Sequence, residues 1–406
     1  MTRMVQTSTE QIQLITESLD KLQRYIEKEN YKGWDPYDAL SSPLFKLPFF
    51  KSNKFIRFAS QQAVKRSPLN LRPLLRIPKG YNPVTIGLVL QGYCYRMMKK
   101  QIPAQGRNDI QKKIDFLVDE LERLQSKGYS GACWGYDFDW EARHTKIPAY
   151  QPTVVATGFI TNALFICYSI TGNEKAKELL ISSANFVLND LKRTYSKDYD
   201  TSAIKHKPFC YSYSPFDKQV VFNASMKGVR LLSQVYSITK DKKLIETAMQ
   251  AVEFVTGEQN KDGSWYYSKA GSGKYIDNYH TGYVLDCLDE YRIHSGDTSF
   301  DDNIKIGYEY YLKNFIELNG APKFYNNKKQ PIDCTAAAQS ILTLTRFGNK
   351  EIAIKVTEYM INNMQDKEGY FYFRDYGNKK DKTSFMRWSN AWMFTALSKL
   401  IKITEL

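Results

Sequence analysis

The sequence predicts an all-α fold, an (α/α)6 toroid of about six helical hairpins with short β-hairpin loops. Six apolar helices recur, with starts at Asn82, Gln151, Asn223, Asn278, Asp333 and Ser389, roughly 55 to 72 residues apart, close to the length of two helices and two loops. Five of them are followed by a helix with charge on one face, over 107–126, 173–192, 240–259, 300–317 and 349–364. The alternation with strands that a Rossmann or TIM fold requires is missing: SWYYS and YFYFRDY are short, follow helices and read as loop hairpins.

Each element has its reason. The apolar helices open on polar or proline signals, as in NPVTIGLVL and QPTVVATGF, and end in turns such as TGNEKA, TKDKK and SGDTSF. Being apolar all round, they belong inside, with the amphipathic ones outside. The last apolar helix has no successor and the N-terminal helix, 10–29, has no predecessor, so the two are expected to pair and close the ring. Residues 30–80, rich in proline and aromatics, read as an ordered arm packed on a single toroid spanning 1–406.

Composition narrows the function classes. With 43% hydrophobic and 25% charged residues in 406, the chain has ample material for a core. Neither a membrane span nor an apolar leader is read from it, and the expected location is cytoplasmic, peripheral to the inner membrane. Six cysteines, Cys94, Cys133, Cys167, Cys210, Cys287 and Cys334, are scattered singly, which reads as reduced core thiols. A net charge of +14 suits an acidic polysaccharide, a nucleotide- or lipid-linked phosphate, an anionic membrane face or nucleic acid. No zinc finger or aromatic RNA-binding signature is visible, so nucleic acid is not an expected partner.

In such toroids the loops entering the inner helices converge on one end, where helix N-termini offer free N–H groups. The richest is GACWGYDFDWEARHTKIPAYQ, residues 131–151. It supplies Trp134, Tyr136 and Trp140 for stacking on sugar C–H faces, Arg143 for an acidic group, and Asp137, Asp139, Glu141 and His144 as acid/base candidates. A structural reading competes with this: Trp134 and Trp140 plug the loop onto the barrel while Asp137 and Asp139 cap the next helix. At the fourth entry, KYIDNYHTGY places Asp277, Tyr279 and His280 at a helix start, where His serves as acid or base or Asp277 simply caps. Asp333 at the fifth entry carries the same two readings. Tyr213, Asp217 and Asn223 at the third entry, and Arg387, Trp388, Asn390 and Trp392 at the sixth, would complete a ring of sugar contacts, with Arg387 suited to a carboxylate or phosphate or to a structural salt bridge. In the arm, Trp34, Asp35, Tyr37, Asp38, Asn70 and Arg72 fold over the cleft or serve turn chemistry alone. No GxGxxG, GxxxxGK[ST], GxSxG or HExxH is present, so no cofactor or metal is expected.

FVTGEQNKDGSW, 254–265, resembles the Gln-to-Trp repeat of squalene and hopene cyclases, and NNMQDKEGYF, 362–371, is a looser copy. The resemblance implies a staple between an outer helix and its loop; the acidic DxDD box of those cyclases is absent, and Cys133, Cys287, Cys334 and His280 lack the Cys-Cys-His spacing of zinc-dependent α/α cyclases. Together with GWDPYDALSSP, CWGYDFDW, PTVVATGF, IDNYHTGYVLDCL and MRWSNAWMF, the chain resembles the VpsJ-type proteins of bacterial capsule, O-antigen and exopolysaccharide biosynthesis. That resemblance implies an enzyme acting on a glycan or its lipid-linked precursor, with epimerisation, β-elimination, hydrolysis and transfer all open. A non-catalytic glycan-binding or assembly partner and an isoprenoid cyclase-like enzyme are the alternatives. Convergent carboxylates with an Arg would favour sugar; a cleft lined by aromatics alone would favour isoprenoid.

Overall fold

The computed structural model describes residues 9–67, 69–98, 103–141, 146–196 and 207–404. It opens with α1 (Thr9–Lys28), whose buried Ile15, Leu19, Leu22 and Ile26 recur every three or four residues and form one stripe. The arm holds two short 3-10 turns, Asp38–Ser41 and Pro43–Lys46, then α2 (Pro48–Ser52) and α3 (Lys54–Arg66). Five hairpins follow: α4 (Pro83–Met97) with α5 (Ala104–Arg123), α6 (Val154–Thr171) with α7 (Glu174–Asn185), α8 (Phe222–Thr239) with α9 (Lys242–Gly257), α10 (Asn278–Ser295) with α11 (Asp301–Phe315), and α12 (Cys334–Arg346) with α13 (Lys350–Met364). Helix α14 (Trp392–Thr404) is the sixth inner helix. The all-α toroid read from the sequence is the fold observed.

The inner helices pack in the order α4, α6, α8, α10, α12, α14, and α14 returns to α4, so the inner ring closes. Helix α1 packs on both α13 and α14, the pairing expected of a first helix with no predecessor. Side-chain caps fix several entries: Asn82 accepts from Val84 N–H, Thr153 from Ala156, Asp277 from His280 and Asp333 from Ala336. Two expected helices differ. The run 173–192 leaves α-geometry at Asn185 for a π turn, Phe186–Asp190, and the sixth entry is a π turn at Met386–Ala391 before α14 begins. The uncharged run 151–172 forms α6, long and apolar enough to cross a membrane by composition, yet 67% of that stretch is buried inside the ring.

The repeated Gln-to-Trp segments join neighbouring outer helices. Gln259 Nε2 donates to Gly263 O (2.9 Å) and to Asn303 O of α11 (3.0 Å), and Trp265 Nε1 donates to Val255 O at 2.9 Å. The looser copy does the same between α13 and α1: Gln365 Nε2 donates to Gly369 O (2.9 Å) and to Ser18 O of α1 (3.1 Å). Glycine is required at both corners. A Cβ on Gly263 would sit 2.3 Å from Ile306 O, and one on Gly369 would sit 2.5 Å from Lys21 O, both at positive φ. The second staple thus lands on the N-terminal helix and ties the ring shut.

The arm is anchored by buried ion pairs. Arg72 Nε meets Asp38 at 2.8 Å while its Nη2 donates to Asp35 O at 2.7 Å, and Arg57 Nε meets Glu141 Oε2 at 2.6 Å. Gln61 exchanges hydrogen bonds with the Glu141 backbone, which fastens α3 to the two-residue strand β1 (Trp140–Glu141), itself paired with β2 (Lys146–Ile147). All six cysteines are free and buried, as expected of core thiols.

Candidate functional site

The entry loops do converge, and they enclose a cavity of about 170 Å3 at the N-terminal ends of α6, α8, α10 and α14. Loops 131–151, 275–280 and 384–392 all contribute. Of its sixteen lining residues twelve are aromatic: seven tyrosines (Tyr37, Tyr136, Tyr213, Tyr267, Tyr275, Tyr279, Tyr283), Phe138, Phe159, Trp140, Trp388 and Trp392. Val155, Asn223, His280 and Arg387 complete it. The walls are rings with a polar rim, since each tyrosine adds a hydroxyl.

One acid/base pair opens on this cavity. Asp277 caps α10 with Oδ1 on His280 N–H at 3.0 Å, and its Oδ2 lies 2.7 Å from His280 Nδ1. A carboxylate only accepts, so in the neutral imidazole Nδ1 carries the proton and Nε2 is left with its lone pair. The Asp277 side chain is 1% exposed and that of His280 19%, so the cap and the acid/base reading hold together: the cap is what orients the imidazole. Tyr267 and Tyr279 pack on the imidazole, with ring centroids at 4.5 and 4.3 Å. Burial pushes both phenols upward, so both stay protonated at neutral pH.

Arg387 reaches the cavity from the π turn. Its Nε donates to Asp35 Oδ2 at 2.6 Å, and its guanidinium carbon lies 4.6 Å from the Tyr136 ring centroid and 4.9 Å from that of Trp388. Two further donors stand without partners: Asn223 Nδ2 and Trp388 Nε1 are buried, and neither has a hydrogen-bond acceptor within the described residues. Unpartnered buried donors on a cavity wall are groups a ligand's oxygens would satisfy.

The structure sorts the candidates. Tyr136, Trp140, Tyr213, Asn223, Tyr279, His280, Arg387 and Trp388 line the cavity, with Asp277 behind His280. Others turn away from it. Trp134 is fully buried and donates through Nε1 to Leu121 O at 2.8 Å, so it is the plug rather than a sugar platform. Asp139 accepts from Ala149 N–H and pairs with Lys146, closing the β1–β2 hairpin. Glu141 is spent on Arg57. Asp333 caps α12 and pairs with Arg374 Nε at 2.6 Å, and Asn390 accepts from Phe371 N–H while donating to Ser384 and Phe385. Arg143 and His144 lie outside the described residues.

Asp137 sits in a smaller pocket behind Phe138, beside Asp35 and Asp38, and accepts from Asn82 Nδ2 at 2.6 Å. Burial, then the neighbouring Asp35 charge, pushes its carboxyl up to about 6. It faces Gly80, where a Cβ would lie 2.2 Å from its Oδ2. Trp392, a candidate at the sixth entry, also lines the cavity, and the lining residues that reading the entry loops missed are Phe138, Val155, Phe159, Tyr267, Tyr275 and Tyr283. One could have been found, because Tyr283 lies four residues beyond Tyr279 and so shares its helix face. Tyr37, flagged on the arm, does fold over the cleft.

Below the cavity, Phe159, Tyr283 and Trp392 form a floor of rings packed edge to face or stacked, with centroids 4.9 to 5.7 Å apart. Beneath it lies a polar chamber of about 40 Å3 among the C-terminal halves of the inner helices. Arg346 pairs there with Asp289 (2.9 Å) and Glu290 (2.6 Å), and lies 3.7 Å from Asp286. Lys227 Nζ has no hydrogen-bond partner and lies 3.9 and 3.8 Å from the Phe159 and Tyr283 ring centroids. Burial, then Arg230, lowers it to about 7. Among the described residues no group of three or more His, Cys, Asp or Glu is placed to hold a metal ion.

No protein-family model matches the sequence, and no curated protein sequence matches it significantly. Solved structures do share its fold. Cellobiose 2-epimerase from Bacillus thermoamylovorans B4167 superposes with a TM-score of 0.58 at 10% identity, covering 81% of this chain and 90% of that one. An unsaturated glucuronyl hydrolase from Streptococcus agalactiae gives 0.53 at 12%, covering 97% and 90%. A polysaccharide lyase gives 0.56 at 10%, covering 98% of both chains.

Proposed function

We propose that this protein is a carbohydrate-active enzyme that moves a proton on an acidic glycan or its lipid-linked precursor, by epimerisation or β-elimination. The Asp277–His280 pair facing the ring-lined cavity carries this reading. His280 Nε2 takes the proton on the carbon next to a uronate carboxyl; the electron pair moves onto that carboxyl, whose charge Arg387 holds. The proton then returns to the opposite face from a tyrosine, or the neighbouring C–O bond breaks and a tyrosine protonates the departing oxygen. Hydrolysis by paired carboxylates is less well supported, because Asp137, Asp139 and Glu141 are committed elsewhere. The fold neighbours are named as a sugar epimerase, a hydrolase and a lyase, which agrees with this range of chemistry without selecting within it.

The aromatic walls also favour a second reading, an isoprenoid carbocation held by rings. Seven tyrosine hydroxyls, Arg387 and the unpartnered Asn223 and Trp388 donors suit a hydroxylated, acidic ligand better. The sequence resemblance supports a role in cytoplasmic assembly of a bacterial surface polysaccharide, and the proton transfers need no cofactor. The deciding measurement is incubation with uronate-containing oligosaccharides in D2O. Epimerisation should place deuterium on the carbon next to the carboxyl, β-elimination should instead give an unsaturated uronate, and His280→Ala should slow either by about 10²–10⁴-fold. Cleavage without deuterium or an unsaturated product would sink the proposal. Deleting the gene and comparing uronate configuration in the surface polysaccharide tests the biosynthetic context.

A further inference from the structure

Six of the sixteen large apolar side chains that are exposed in the described residues come from one stretch of the arm: Leu44, Leu47, Phe49, Phe55, Leu69 and Leu74. Four are extreme, with Phe49 67%, Leu69 72%, Phe55 79% and Leu74 80% exposed. A monomer's surface scatters such residues singly; clustering marks a surface built to be covered.

Charge says by what. Between Asp38 and Asp109 the sequence has no acidic residue, while lysine and arginine alternate with the apolar prongs in KLPFFKSNKFIRF, 46–58. Arg57 and Arg72 are held by Glu141 and Asp38, but they neutralise the core side of the arm, not its outer face. At the end of α3 the basic character continues into a groove of about 460 Å3, where Arg66 meets Arg374, Lys379 and Lys380 with Asp381 the one carboxylate. Lysine is depleted from the centre of protein–protein interfaces. Phe and Leu side chains standing among lysines match a bilayer surface instead, with rings and aliphatic chains at the acyl boundary and ammonium groups among anionic headgroups.

We propose that the outer face of the arm, residues 44–74, docks the protein on an anionic lipid bilayer. The surface does not depend on the reaction, but it has a geometric consequence for it. Tyr37, on the same arm, lines the cavity, and its hydroxyl accepts from Lys65 Nζ of α3 at 2.5 Å. The cavity rim and the docking face are therefore parts of one piece of structure.

Co-sedimentation of the full chain with vesicles tests this, comparing phosphatidylcholine alone with phosphatidylcholine containing phosphatidylglycerol. Binding is expected on the anionic vesicles only. F49S combined with F55S, which leaves net charge unchanged, should lower partitioning tenfold or more, whereas L318S, removing a fully exposed leucine outside the arm, should leave it unchanged. Melting temperatures of both variants check that they fold. Equal binding by F49S/F55S and wild type would mean that overall charge, not the arm, holds the protein, and absence of binding to anionic vesicles would overturn the proposal outright. So would self-association without vesicles that F49S/F55S abolishes, since the prongs would then cover a second copy.

Discussion

The two ends of the barrel are built from the same inner helices and share a floor of three rings, yet they handle their polar groups differently. At the N-terminal end two buried donors without partners among the described residues, Asn223 Nδ2 and Trp388 Nε1, border a cavity of about 170 Å3, and His280 uses one nitrogen and keeps the other. At the C-terminal end Arg346, Asp286, Asp289, Glu290, Gln234 and His294 form one network of ion pairs and hydrogen bonds beside a chamber of about 40 Å3, although Arg346 Nε, Gln234 Oε1 and Lys227 Nζ have no hydrogen-bond partner among the described residues. Desolvating a polar group is unfavourable in both places; the lower end offsets it by pairing opposite charges. Unmet donors occur at both ends, so they point to a ligand only where they border a space that can hold one, and the density of charge, which is greater at the bottom, is no guide.

The contrast predicts different consequences for similar-looking substitutions. Arg346→Met removes the cation shared by Asp289 and Glu290, leaving Asp289 to Arg292 and Glu290 to Gln234 and His294, and chemical denaturation should show a loss of about 3–5 kcal/mol; a loss below about 1 kcal/mol would mean that the lower chamber is not a structural network. Lys227→Met removes a buried cation that has no hydrogen-bond partner among the described residues and should stabilise by about 1–4 kcal/mol. The sign with pH follows from the depressed native value: the unfolded lysine binds its proton up to about 10.5, the native one only to about 7. The destabilisation by Lys227 is therefore fully present below pH 7 and fades as pH rises toward 10.5, so the gain in melting temperature should be larger at pH 6 than at pH 10. Asn223→Ala removes an unmet donor, so its stability should stay within about 0.5 kcal/mol of wild type. On an active substrate its KM should rise roughly tenfold, about 1.4 kcal/mol, consistent with one hydrogen bond; an unchanged KM would place Asn223 outside the binding surface.

Much of the ring is legible in the sequence because its periodicity is local. The helix expected over 349–364 is Lys350–Met364, and the expected 10–29 is Thr9–Lys28. The staple at 254–265 is legible as well, since its glutamine, glycine and tryptophan act through contacts a fixed spacing guarantees. The site is legible only in part, for a specific reason. Asp139 and Glu141 sit in the loop that does line the cavity through Tyr136, Phe138 and Trp140, and strand alternation there sends successive side chains to opposite sides. Which side meets the cavity is decided by Arg57 on α3, more than eighty residues away in the chain, and nothing near residue 141 reports it. His280 escapes this difficulty because its orientation comes from Asp277, three residues before it.

The closure of the ring also sets an order of events in time. Helix α1 precedes α13 and α14 by more than three hundred residues, yet its stripe of Ile15, Leu19, Leu22 and Ile26 belongs against them, and Gln365 must reach back to Ser18 to lock it. Contacts spanning so much chain form slowly. Through the synthesis of everything between them, the growing chain therefore carries an apolar stripe whose final cover has yet to be made.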